Sequence, residues 1–101
     1  GGSLTSDDST FKGSVKVGGN ISTGDSYFAK GIEFIGTSLQ LSNSTKVMGQ
    51  IISSNPQPVT IIIDHSEVKG NIGFANSGSQ VILRNGGELK GTLLNGKLQQ
   101  E

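Results

Sequence analysis

The sequence predicts an all-β fold, a parallel β-helix (β-solenoid) of about 21 residues per coil, and three observations lead there. The segments Val47-Met48-Gly49-Gln50-Ile51, Val68-Lys69-Gly70-Asn71-Ile72 and Leu89-Lys90-Gly91-Thr92-Leu93 share one pattern, with glycines spaced 70−49 = 21 and 91−70 = 21. Further columns keep that phase: Leu41, Ile62 and Leu83 lie upstream of each segment, and Leu39, Thr60 and Val81 two residues earlier still. Finally, Val-x-Gly-x-Ile has a period of two, which is one face of a strand, whereas no 3.6-residue apolar stripe is present. A single coil cannot bury its own apolar face, so stability must come from stacking like columns about 4.8 Å apart. A right-handed path is expected.

Taken in order, residues 1–10 open with Gly1-Gly2-Ser3 and read as a linker or scar and an N-terminal cap. The solenoid is expected over 11–96. Phe11 to Ile21 alternates apolar or Gly with mostly polar residues, and Val17-Gly18-Gly19-Asn20-Ile21 matches the repeated motif. Val17 lies 47−17 = 30 residues before Val47, so a loop insertion is expected near 22–31, carrying Tyr27 and Phe28. Residues 32–36 then rejoin the stack. Asn43, Asp64 and Asn85 fall between the two apolar sets of each later coil, and such residues tolerate the left-handed backbone of a tight corner. The repeated glycines should leave room for a bulky residue from the opposite wall or mark a bend. Residues 97–101 read as a tail too short for another coil.

Composition narrows the function. The 101 residues fit one domain; Lys plus Arg and Asp plus Glu both total 8, so no net field recruits nucleic acid or an anionic membrane. With no Cys there is neither a disulfide framework nor a thiolate metal site. No run approaches the ~20 apolar residues of a membrane-spanning helix, and no Met-led signal sequence opens the chain.

The Gly-, Asn-, Ser- and Thr-rich coils with their Val-x-Gly-x-Ile strands resemble the right-handed β-helical passenger domains of Gram-negative autotransporters (pertactin-like proteins) over residues 11–96. That resemblance implies a bacterial cell-surface or secreted segment acting in adhesion or self-association. Its partners would be protein, with a glycan as a further candidate. The chain is also similar to bactofilins, polymer-forming cytoskeletal β-solenoids, in its length and its Val-x-Gly-x-Ile strands. That second resemblance implies a cytoplasmic filament subunit.

No catalytic, cofactor-binding or metal-ligating set is expected. Asp64-His65-Ser66 holds the only His, but consecutive side chains on extended backbone point to opposite faces and cannot form a nucleophilic relay. Glu67 and Glu88 share a column, yet Lys69 and Lys90 follow on the same outer face and screen them. The column of Thr45 continues as Ser66 and Gly87, so no regular Thr ladder suits an ice surface. The remaining candidate is a docking surface. With Thr60, Ile62, Val81 and Leu83 inward, alternation sends Ile61, Ile63 and Ile82 outward. Either these isoleucines meet a partner or the inserted loop with Tyr27 and Phe28 folds over them.

Overall fold

The computed structural model describes residues 2–101, and every regular element in them is a strand. The first coil holds β1 (Leu4–Asp7), β2 (Thr10–Phe11) and β3 (Val15–Val17), and the second β4 (Ile21–Gly24), β5 (Tyr27–Phe28) and β6 (Ile32–Phe34). The third holds β7 (Ser38–Ser42), β8 (Lys46–Val47) and β9 (Ile51–Ser53). The fourth holds β10 (Thr60–Asp64), β11 (Glu67–Val68) and β12 (Ile72–Phe74). The fifth holds β13 (Gln80–Arg84), β14 (Glu88–Leu89) and β15 (Leu93–Leu94), and β16 (Lys97–Gln100) begins a sixth. Every pairing is parallel and joins a strand to its counterpart one coil away. Three sheets result: the first runs β1-β4-β7-β10-β13-β16, the second β2-β5-β8-β11-β14 and the third β3-β6-β9-β12-β15. The fold is therefore the expected parallel β-solenoid, with about five turns.

Alternation along each strand sends one column per inward position into the prism. In the first sheet the inward column is Leu4, Ile21, Leu39, Ile61, Val81 and Leu98, in steps of 17, 18, 22, 20 and 17 residues. The second sheet contributes Phe11, Phe28, Val47, Val68 and Leu89, and the third Val15, Ile32, Ile51, Ile72 and Leu93. Residues of the middle coils in these columns are fully buried, and each such side chain contributes roughly 1.5–3 kcal/mol by leaving water. Phe11 and Phe28 stack with ring centroids 4.6 Å apart.

The spacing of 21 holds in the second and third sheets from Val47 and Ile51 onward, as expected. Earlier coils are shorter, which removes the expected insertion: residues 22–31 contain β4 and β5 and complete an ordinary second coil. Val17 pairs with Phe34 and not with Val47, and Phe28 is a core residue, not a cover. The alternating segment 11–21 is divided by two corners into β2, β3 and the start of β4. Residues 4–7 and 10–11 are likewise strands, not linker, while Gly1 lies outside the described residues. Within the expected tail, residues 97–100 form one strand, β16, which pairs with β13 but is too short to complete another coil.

The corner between the first and second sheets explains a one-residue error of register. Asp8, Asp25 and His65 each turn it with a single left-handed residue, at φ 55°, 48° and 48°. The third and fifth coils use two, Asn43-Ser44 at 53° and 66° and Asn85-Gly86 at 52° and 80°. Counting back a constant number from Val68 therefore overshoots by one. His65, not Asp64, shares the corner column of Asn43 and Asn85, and Ile61 and Ile63, not Thr60 and Ile62, face inward. Just past this corner runs a hydroxyl ladder. The N–H groups of Ser9, Ser26 and Thr45 donate to the side-chain oxygens of Ser26, Thr45 and Ser66, one coil on, at 3.2–3.3 Å. Those three hydroxyls donate in turn to the carbonyls of Gly24, Ser42 and Asp64, each at 2.8 Å.

Ser66→Ala strands the buried N–H of Thr45, which is expected to cost about 1–3 kcal/mol in a urea titration. Ser66→Thr restores the hydroxyl, as Thr45 itself does one coil earlier, and is expected to recover most of that loss. Equal losses in the two variants would remove the ladder as a source of stability.

The repeated glycines mark the bend between the second and third sheets. A Cβ at Gly70 would meet the backbone carbonyl of Gly49, and one at Gly91 that of Gly70. Their absent side chains serve the approach of successive coils along the stack, not the opposite wall.

Candidate functional surfaces

Outward positions make three flat faces, each carrying a different chemistry. On the second sheet, Lys46, Glu67 and Glu88 form one column, as expected for the two glutamates. Lys90 Nζ lies 3.1 Å from Glu67 Oε2. That hydrogen bond holds the Glu67 carboxyl below its ordinary value, with Lys69 and Lys46 adding to the effect, and raises Lys90 in return. The lysine end stands in solvent, and the pair contributes little by itself. A shallow depression of about 210 Å³ lies at the neighbouring corner, lined by Ser44, Lys46, His65, Glu67, Gly86 and Glu88 among others. His65 Nδ1 lies 3.3 Å from the carbonyl oxygen of Asn85, while the Ser66 hydroxyl is committed to the internal ladder. The three side chains of Asp64-His65-Ser66 thus take different partners, Asp64 accepting from the side chain of Asn85. Among the described residues no three of His, Asp and Glu converge as metal ligands.

The docking candidates divide. Ile61 and Ile63, expected outside, are 0 % exposed in the core, because the shortened corner shifts β10 by one residue. Ile82 does lie on the outer face, half-buried, and its column partner is Ile62. Around that pair stand Thr60, Gln80, Asp64 and Arg84, so the outer face of the first sheet is mixed rather than apolar. Asn85 Nδ2 donates to Asp64 Oδ1 across the coils at 2.9 Å.

The third sheet carries the apolar side chains that the sequence reading missed. Ile52 pairs outward between Glu33 and Gly73, and Leu94 follows Gly73 in the same column. Ile52 is 39 % exposed, Leu94 55 % and the nearby Ile35 46 %. Their signal was available as the second apolar residue of Ile51-Ile52 and Leu93-Leu94, which strict alternation leaves on the outside.

The two ends are distinctive in another way. At the first coil Leu4, Phe11 and Val15 are only partly buried, and at the last Leu83, Leu89 and Leu93 are. Each end therefore presents unpaired strand edges, those of β1, β2 and β3 on one side and of β14, β15 and β16 on the other, beside core side chains that are only partly covered.

Comparison with protein-family models, with curated proteins and with solved structures finds no match to this chain. The resemblances to autotransporter passengers and to bactofilins therefore gain no support from a relative.

Proposed function

We propose that this chain is a non-enzymatic structural solenoid acting through self-association, as a segment of an adhesive bacterial surface or secreted protein. The observation that carries this reading is the stack itself: the outer coils of the described residues leave core side chains partly exposed and strand edges open, and a further parallel coil covers both. A second copy of the chain can supply such a coil. The flat faces, rich in Ser, Thr, Asn, Gln and balanced charge, suit contacts with a host protein or a glycan. The same stacking serves a bactofilin-like cytoplasmic filament equally well, and a secretion signal upstream in the gene separates the two readings.

The test is the size distribution of the protein over a concentration and salt series by sedimentation. Lys12 and Lys16 stand exposed in the first coil, and Lys97 in β16, so charge repulsion opposes stacking and salt should relieve it. Association that grows with concentration and salt is expected. A strict monomer throughout would overturn the reading.

A further inference from the structure

The second sheet turns toward solvent a face that runs along the side of the stack, so it stays open whatever coil adjoins the outermost ones. Its outward column reads Tyr27, Lys46, Glu67 and Glu88 over four successive coils, about 14 Å from first to last. Alternation places Ala29 and Met48, both half-buried, on the same face, so the Tyr27 end of it is largely apolar. Tyr27 is 39 % exposed and is the only tyrosine of a chain without tryptophan. Toward Glu88 the column borders the depression of about 210 Å³, which Ser44, His65 and Gly86 complete.

The polar groups of that depression are not spent within the molecule. Glu67 is answered by Lys90, but Lys46 and Glu88 form no ion pair among the described residues. Ser44 gives its N–H to the carbonyl of His65 at 2.8 Å and keeps its hydroxyl free among the described residues. The contact of His65 Nδ1 with the Asn85 carbonyl needs the proton on Nδ1, which leaves Nε2 uncommitted. A free carboxylate and a free ammonium thus share one column, and once Lys90 has answered Glu67 the lining carries no net charge. A sugar hydroxyl both donates and accepts, so it uses both kinds of group, whereas an anion would meet the Glu88 carboxylate. The C–H face of a sugar ring also covers an exposed tyrosine well. Finally, the coil spacing of about 4.8 Å is close to the length of one sugar in an extended β-1,4-linked chain, so successive rings can meet successive coils.

We infer that the outer face of the second sheet, from Tyr27 to Glu88, is a seat for an uncharged β-1,4-linked glycan laid along the solenoid axis. This rests on the adhesive part of the reading above, to which it gives a ligand class and a face, and is independent of stacking. Tyr27 supports one ring, with Met48 beside it. Lys46 donates to a hydroxyl oxygen of the next, and Glu88 accepts from the hydroxyls of a ring seated in the depression.

The experiment titrates the protein with cellotetraose and follows by NMR the ring signals of Tyr27 and His65, each the only residue of its type in the chain. Both are expected to shift along one saturating curve, with a Kd on the order of 1 mM for so shallow a seat. Tyr27→Ala removes the platform and Glu88→Ala the free carboxylate, and each is expected to weaken binding about tenfold, read at His65. Both side chains are exposed, so neither change should move the urea midpoint. Gln40→Ala, on the first sheet, should leave the titration unchanged. No shift at ten times the expected Kd, or full affinity in both the Tyr27 and Glu88 variants, would overturn the seat. Tighter binding of tetragalacturonate would overturn the uncharged class. Sedimentation of the same samples without sugar keeps the two proposals apart. Assembly without a titration overturns the glycan seat alone, and a titration by a strict monomer overturns self-association alone.

Discussion

Replacing Ile72 with Asp is expected to abolish the folded state. Ile72 is fully buried in the middle of its column, between Ile51 and Leu93, and no cationic side chain shares that interior. A carboxylate there costs several kcal/mol whether it stays charged or takes up a proton, and the lost apolar burial adds about 2 kcal/mol. Domains of this size have a total stability of roughly 5–15 kcal/mol, so one such change consumes much of it. Asn71→Asp is the matched control. Asn71 is exposed, and its Oδ1 accepts the N–H of Thr92 at 2.8 Å, a role a carboxylate oxygen keeps. Thermal melts should show a lost or sharply lowered transition for the first variant and almost none for the second. Similar melting temperatures would refute the register of the third sheet.

A single methyl group at Gly70 is expected to destabilise the fold by another route. The added Cβ would collide with the carbonyl of Gly49 and the amide of Gln50, both backbone atoms fixed by the coil below. Relief requires the coils to separate locally, which weakens the ladders on either side, at a cost of about 1–3 kcal/mol or more. Gly73→Ala provides the contrast, because a Cβ at Gly73 meets nothing within 4 Å on the outer face. Urea denaturation of the two alanine variants should therefore give a large loss at position 70 and little change at 73. Equal effects would mean that glycine at 70 reflects backbone entropy alone and not the packing of coil on coil.

These contrasts also show which parts of the molecule could be read in the sequence. The columns through Val47 and Ile51 were legible because two changes of length cancel in the later coils: the connection into the first sheet shortens by one residue, from Ser53–Ile61 to Phe74–Val81, while the corner leaving it lengthens by one, from Ile63–Val68 to Leu83–Leu89, so the period stays at 21. The first sheet was not, because the chain reaches it through connections of changing length, from Val17 to Ile21 but from Ser53 to Ile61. The corner leaving it uses one left-handed residue or two, and Asn, Asp, His and Ser all occupy it. No composition signal separates those cases. The outward isoleucines were misassigned for the same reason: one corner residue fewer turns Ile61 and Ile63 inward and leaves Ile62 with Ile82 outside. The core is also less apolar than a pattern search expects. Thr23 and Ser53 stand at inward positions with their hydroxyls unpartnered among the described residues, and Ser53 is flanked in its column by Phe34 and Phe74.

Because each strand bonds only to the strand above and the strand below, no contact bridges the first coil to the last. Breathing in such an architecture has a direction. Opening the middle requires two sets of edges to part at once, whereas the outer coils can peel away singly. Amide hydrogen exchange should therefore slow progressively from both termini toward the residues around Ile51 and Ile72. The molecule would behave less like a body that melts than like a coil of rope that frays.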